Sequence, residues 1–508
     1  FKQKTAYEIM PSLVGSEMCI RDRGVIMLIR DSTTCGVKLR EIKLENLGDE
    51  VSIEVKVNKN SGGFLFFFLV DPEGHLRVQH MVEKGVSKVL LGQKSGSIGT
   101  YPGPLPGGNW KVYTIGLSDK EEYSKIEYEV LINSNTKIDP EDYTLLGESI
   151  WVEYASEKKL FTLTFDSDKK ISQEKRWYRG DLHTHTTLTD GHMKPKEVKD
   201  FCEKAGLDFI FLTEHNLIHT GFEDSRVLFI PALEVTTVKG HLIVYGLKKL
   251  PNFLVFNDFH NDFVRFVLEK KQSEKYIINI AHPTMKPWEW QFNDTALSKI
   301  DLIEICNCPA WPPAEEDNSN AIKLLDLLWN DGYRIYGVGG SDNHLKPDEK
   351  YPGAKKPSLY GDPSTWVYCN GLSEAEILKS LKNGSCYVSR DVELDIAISD
   401  GIINYLPGSE VKGSRIYYEV KIKNKHRPFT VNLIRNGKLV ETKFLYNESR
   451  ASFIIEWEDK DFEWVRTEVR TIEGEFVAYV NPVFRGFKKH SYIKWGDLME
   501  SYAESKNP

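Results

Sequence analysis

Between residues 176 and 392, seven short apolar runs recur, and four of them carry a histidine or an acid at or next to their C-terminal end. They read "DFIFLTEH", "VLFIPALEV", "HLIVYGL", "YIINIAHP", "IDLIEICN", "YRIYGVGGSD" and "STWVYC". Each is nearly continuous in apolar residues, so each predicts a strand buried on both faces, as in a parallel sheet or a barrel. Helical patterns fit between several of them. Residues 194–205 place Val198, Phe201, Cys202 and Ala205 on one face, with Gly206 as a stop. Residues 319–331 place Ile322, Leu325 and Leu328 at helical spacing after a cap candidate at Asn318. Ser373 and Glu376 form a capping-box pattern ahead of Ile377 and Leu381. About seven β/α repeats over roughly 220 residues predict a barrel related to the (β/α) type, which builds its active sites at the C-terminal ends of its strands.

On either side the texture is β. From 24 to 170, "VSIEVKV", "GGFLFFFLVD", "GNWKVYTIGL", "KIEYEVLI" and "KLFTLTFD" predict strands between Gly/Pro turns, hence an N-terminal β-sandwich. From 393 to 491, "RIYYEVKI", "FTVNLIRNGKLVET", "ASFIIEWE" and the run through "NPVF" predict a C-terminal β-sandwich, with a hairpin turn at Asn436-Gly437. Residues 492–508 read as a polar tail, and 171–392 as the barrel. Residues 1 to about 23 resemble translated sequencing adapter: "KQKTAYEI" and "LVGSEMCIRD" back-translate to two adapter segments in their correct order, so they are set aside from the fold.

Composition narrows the function. The net charge of −8 carries no basic footprint for a lasting nucleic-acid complex. No apolar run approaches the ~20 residues that span a bilayer. Seven cysteines without dense spacing fit reduced, mostly buried thiols and a cytoplasmic protein; the Cys306/Cys308 pair reads as structural.

The strand ends carry the chemistry. In "RGDLHTHTTLTDG", His183 and His185 lie two apart, so an extended chain points both imidazoles the same way. Asp190 follows on the loop. His215 ends "FIFLTEH", Glu234 sits in "FIPALEVTT", His241 opens "HLIVYG", His282 follows "IINIA", and Asp342 and His344 close "GGSDNH". Glu234 and His241 can meet through a tight turn. One histidine at a strand end is ordinarily a satisfied polar residue. Nine donors returning to one barrel face are much harder to dismiss, and they predict metal ligation with positions left for water and substrate. Mixed imidazole and carboxylate donors suit Zn, Mn or Fe better than Mg or Ca.

The ordered series "HTH…DG", "TEHN", "LE", "GHLIVYG", "AHP" and "GGSDNH" resembles the polymerase and histidinol phosphatase (PHP) superfamily of metallohydrolases over about residues 176–392. The flanking β regions, with "RNGKLV" and "NPVF", are similar to those of the branch that includes carbamate-insecticide (carbaryl-type) hydrolases. The resemblance implies a distorted (β/α)7 barrel holding two or three divalent ions. Carried over by motif, His183, His185, Glu234 and Asp342 would hold one ion. Glu234 would bridge to a second, held also by His241 and His282, and Asp190, His215 and His344 would hold a third. Many PHP proteins have Asp where this chain has Glu214.

The reaction expected is hydrolysis by a metal-activated water, with Asp342, His344 and Glu234 as catalytic candidates. The substrate expected is a phosphoester, met by Lys286 and Arg390, with Lys355 and Lys356 as further cations. The alternative is a carbamate or carboxyl ester, because Trp288, Trp290 and Trp311 could line an apolar pocket or could equally pack between domains. A non-catalytic binding protein with a vestigial barrel is a third reading, and the complete donor set argues against it. The partner expected is a small molecule. No HExxH, GxxxxGK[ST] or GxSxG motif supports another chemistry.

Overall fold

The computed structural model describes residues 25–506 apart from 35, 59–62, 84, 118–124, 135–141, 156, 158 and 459. The adapter-like residues 1–23, and Cys19 and Cys35, lie outside the described residues. The architecture is mixed α/β, rich in sheet and with few helices.

The central strands are β1 (Ser172–Asp181), β2 (Phe209–His215), β3 (Leu228–Thr237), β4 (Gly240–Tyr245), β5 (Ile277–Ile280), β6 (Leu302–Asn307), β7 (Tyr336–Gly340), β8 (Ser364–Leu372) and β9 (Cys386–Ser389). They stand in the order β7-β6-β5-β4-β3-β2-β1-β8-β9, and the ladder runs on through Phe476–Val480 into the C-terminal strands. Strands β2 to β7 are buried along nearly their whole length, as their continuous apolar runs predict. Hydrogen bonds tie β7 and the segment after it to β1 and β8. Asp342 N donates to the His183 carbonyl at 2.8 Å, Ser341 N donates to Asp181 Oδ1 at 2.9 Å, and Thr365 Oγ1 bonds both the N–H and the carbonyl of Gly339.

The number of β/α repeats is smaller than the sequence predicts. Four α-helices accompany these strands among the described residues: α1 (Pro195–Ala205), α2 (Phe259–Glu274), α3 (Ala314–Asn330) and α4 (Glu374–Lys382). β3 and β4 form a tight antiparallel hairpin with no helix between them, and the β5–β6 connection holds one 3-10 turn. β4 is antiparallel to both neighbours, so the sheet is mixed. Helix α1 ends as expected on Gly206 in the left-handed region (φ 69°). Helix α3 begins at Ala314, four residues before the expected cap, with Pro313 at its N-cap position. Asn318 instead lies inside it and bonds both backbone groups of Asn307, pinning the end of β6. Ser373 caps α4 through Glu376 N as predicted.

Two four-stranded antiparallel sheets precede the central one and share a core of Ile53, Val55, Phe67, Leu69, Trp110 and Val130. In Phe64–Val70, alternate residues Leu65, Phe67 and Leu69 enter that core, while Phe66, Phe68 and Val70 enter the central one. This double burial explains the continuous run "FLFFFLV". "KLFTLTFD" forms only isolated bridges, at Thr162 and Leu163, rather than a strand. Gln79 ties the two regions together by bonding both backbone groups of Ile218, just past His215. In the C-terminal region Asn436 and Gly437 make the expected hairpin turn, both at positive φ. Residues 492–508 hold a helix, α5 (Trp495–Lys506), whose Trp495, Leu498 and Tyr502 are buried against the central core where a polar tail was expected.

Candidate metal centre

All nine predicted donors converge. His183 and His185 follow β1, Asp190 lies on the loop before α1, and His215 ends β2. Glu234 and His241 face each other across the β3–β4 hairpin, His282 follows β5, and Asp342 and His344 follow β7. His183, His185 and Glu234 are fully buried; Asp190, His215, Asp342 and His344 are partly exposed.

Glu234 sits at the centre. Its Oε1 lies 2.9 Å from His241 Nδ1, 3.4 Å from His183 Nε2 and 3.6 Å from His282 Nε2. Its Oε2 lies 2.7 Å from His215 Nδ1 and 3.5 Å from His185 Nε2. Asp342 Oδ1 is 3.0 Å from His185 Nε2 and 3.3 Å from His183 Nε2. Asp190 reaches His344 Nε2 at 3.4 Å and His215 Nε2 at 3.5 Å. Four groups have donor atoms close enough to share one ion: His185/Asp190/His215/His344, His183/His185/Glu234, His183/His282/Asp342 and His215/Glu234/His241.

The backbone is shaped for this cluster. Gly340 has no room for a side chain, since a Cβ would lie 2.3 Å from that of His183. His282 (φ 26°) and Asp342 (φ 48°) both sit in the left-handed region that non-glycine residues avoid, at a cost of about 1–3 kcal/mol each.

Electrostatics separates the donors. Burial alone would raise the carboxylic acids, but the surrounding imidazoles hold Asp190, Glu234 and Asp342 well below the usual carboxylate range. Burial opposes charge on the histidines too. It pushes His241 down to about 4, whereas Asp190 outweighs it and lifts His344 to about 9. Three carboxylates therefore stay charged in a buried place among the imidazoles, and burial is likewise outweighed at His183 and His215, which are raised by the facing acids. His183 Nε2, His185 Nε2, Asp190 Oδ1, Glu234 Oε2 and Asp342 Oδ1 are buried there and make no hydrogen bond. An unmet buried polar atom costs about 1–3 kcal/mol, and a cation at the focus of several lone pairs removes that cost. These clusters fit divalent metal ions.

Two supporting residues, Glu304 and Asn307, were not expected from sequence. Glu304, buried in β6, lies 3.2 Å from His183 Nδ1 and accepts from His282 N at 3.0 Å, turning Nε2 of His183 toward the cluster. Asn307 donates to Glu304 Oε2 and to Asp342 Oδ2. Glu214 accepts from Thr186 N, Thr186 Oγ1, Thr189 Oγ1 and His219 Nε2, so it braces the loop that carries Asp190. The signal for Glu304 was an acid in the middle of the apolar run "IDLIEICN". Glu304→Gln should weaken metal binding by about 10–100-fold, measured by metal titration, with the fold intact by circular dichroism.

The expected substrate residues divide. Trp288 lines the cavity over the donors, with its ring 5.9 Å from that of Trp311. Trp290 is buried and packs on Phe292. Arg390 does not reach this cavity. Its guanidinium is held by both oxygens of Asp362 at 2.9 Å, and it lines a separate cavity with Lys355 and Lys356. Lys286 is exposed and also outside the donor cavity. Cys306 and Cys308 are buried free thiols that burial pushes upward, Cys308 to about 12.

No known family matches the chain by sequence, and no curated protein does. Among solved structures it is similar to a two-domain protein from Bacteroides vulgatus described as containing a predicted PHP-like metal-dependent phosphoesterase. That likeness has 14% identity and a TM-score of 0.33, covering 66% of this chain and 98% of the other. It is also similar to an amidohydrolase from Chromobacterium violaceum, with 14% identity and a TM-score of 0.21, covering 35% of this chain and 93% of that one. At such TM-scores neither likeness bears on activity. Among the described residues no helix is long and apolar enough to cross a membrane.

Proposed function

We propose that the protein is a divalent-metal-dependent hydrolase of small-molecule esters, built on a distorted, sheet-rich α/β barrel of PHP type with fewer than seven β/α repeats, between two β-sandwich regions. The observation that carries it is the set of buried, unbonded lone pairs converging between Glu234, Asp342, Asp190 and the imidazoles. Two or three ions of Zn, Mn or Fe suit that donor chemistry. Bound there, such ions polarise the scissile group and lower the pKa of water toward about 7.

The chain's own residues supply the rest. Glu304 and Asn307 fix the orientation of His183 and Asp342. Asp342 and His344 are among the four donors with part of their side chain open (15% and 22%, beside 18% for Asp190 and 11% for His215), which suits them to pass a proton to solvent. A phosphoester is the substrate that the motif series supports. A carbamate or carboxyl ester is the second reading, favoured by one observation: among the described residues that line the cavity there is no Lys or Arg to meet a phosphate dianion.

Purified protein should carry at least one tightly bound transition metal per chain. Chelator dialysis should abolish turnover and lower the thermal midpoint, and both should return on adding metal. Ions present at a hundred times their Kd contribute about 2.7 kcal/mol of stability. Bis-p-nitrophenyl phosphate, p-nitrophenyl phosphate and a naphthyl carbamate separate the substrate classes. A fully folded, metal-free protein with unchanged turnover would overturn the reading.

A further inference from the structure

The cavity above the donors has a volume of about 450 Å³ and is not closed by the central strands alone. One of its walls is the N-terminal sheet, through Phe64, Phe66, Met81 and Leu117. These four come from three adjacent strands and are cross-strand partners: Phe64 stands opposite Leu117, and Phe66 opposite Met81. They form one contiguous apolar patch on the face that the N-terminal sheet turns toward the donors. By the two-residue period of a strand, Phe64 shares the face of Phe66 and Phe68. Phe68 is closed into the core, whereas Phe64, at the strand's end, is only half-buried and opens on the cavity. Trp288 and Trp311 supply flat apolar surface to the same cavity. Pockets of about 300–1,000 Å³ with apolar walls and a few convergent polar groups take small ligands.

We propose that the N-terminal sheet is part of the substrate site: the Phe64/Phe66/Met81/Leu117 patch seats an uncharged, aryl-sized portion of the substrate while the scissile group faces the donor cluster. The proposal rests on the hydrolase reading for its reaction, and on the cavity wall alone for its specificity. It gives the N-terminal region a role in selecting substrate that does not depend on whether the scissile group is phosphoryl or carboxyl. Phe64 is the specificity-determining residue most open to test, because it is half-buried and its truncation leaves the sheet core intact.

The test uses the full chain with metal restored and two esters that share a scissile group, 1-naphthyl acetate and ethyl acetate. Comparing each variant with the unaltered protein on both esters cancels their intrinsic reactivities. Phe64→Ala should lower kcat/KM for the naphthyl ester about tenfold or more while changing the ethyl ester less than about twofold, with unchanged metal content. The second reading, independent of turnover, is binding of 1-naphthol followed by tryptophan fluorescence, which Phe64→Ala and Met81→Gln should both weaken. Equal loss on both esters, or naphthol binding indifferent to both substitutions, overturns the proposal. Absence of hydrolysis of both acetates with naphthol binding still sensitive to Phe64 overturns the carboxyl-ester reading alone and supports the wall.

Discussion

Replacing Glu234 with glutamine is expected to cut hydrolysis by more than about a hundredfold and to strip most of the bound metal. Even residues that only orient a metal ligand are worth about 10–100-fold in affinity or activity, and Glu234 is no peripheral support. Its two oxygens lie within 3.6 Å of five imidazoles, those of His183, His185, His215, His241 and His282. It belongs to two of the four groups that could hold an ion. Glutamine keeps the volume but removes the charge, and it turns an N–H2 toward ring nitrogens whose lone pairs should face a cation. Because the side chain is wholly buried, water cannot restore the lost charge. Elemental analysis of the variant reads the effect directly, and near-normal metal content with lost turnover would place Glu234 in the chemistry rather than in the holding of ions.

What the sequence revealed of this centre, and what it hid, follows from the range of the interactions. Most donors were legible because they end or border an apolar run, and a run buried on both faces predicts both the strand and the place where it stops; His183 and His185 were legible from their two-residue spacing. Even the Glu234–His241 pairing was legible, since a hairpin is a local device. Glu304 was passed over because a single acid in an apolar strand does not name its partner, and His183 stands 121 residues away. Arg390 was misplaced for the same reason: a cation near a site motif says nothing about the Asp362 that holds it. The repeat count was too high because antiparallel β4 has the same apolar texture as a parallel strand. The cavity wall was beyond reach altogether. Phe64 and Leu117 become neighbours of His215 and Asp342 only once two separately patterned regions are packed together. The helix over residues 495–506 stayed hidden because its burial depends on the core it meets.

The largest expected loss of stability lies away from the metal donors, at Arg466, and Arg466→Met should destabilise the fold by about 3–5 kcal/mol. The guanidinium is 2% exposed and joins three elements. Nε and Nη2 bond the two oxygens of Asp326 on α3 at 2.9 and 2.8 Å, Nη1 bonds Glu468, and Tyr479 lies 4.7 Å beneath the guanidinium. Glu468 keeps a second cation, Arg470 at 2.9 Å, so it survives the substitution paired. Asp326 has no other ion pair among the described residues and would be left charged in a nearly dry place. The cost is therefore assigned mainly to Asp326, which yields a further expectation. Arg466→Met combined with Asp326→Leu should recover most of the loss, because replacing a buried ion pair with packed apolar groups is often neutral or stabilising. Denaturant midpoints of the two variants decide it. A single-variant loss below about 1 kcal/mol would mean that water reaches Asp326, and failure of the double variant to recover would assign the cost to lost packing against Tyr479. None of these residues touches a metal donor, so the folded fraction of either variant should keep its metal content, separating stability at the junction of α3 and the C-terminal sheet from the chemistry at Glu234.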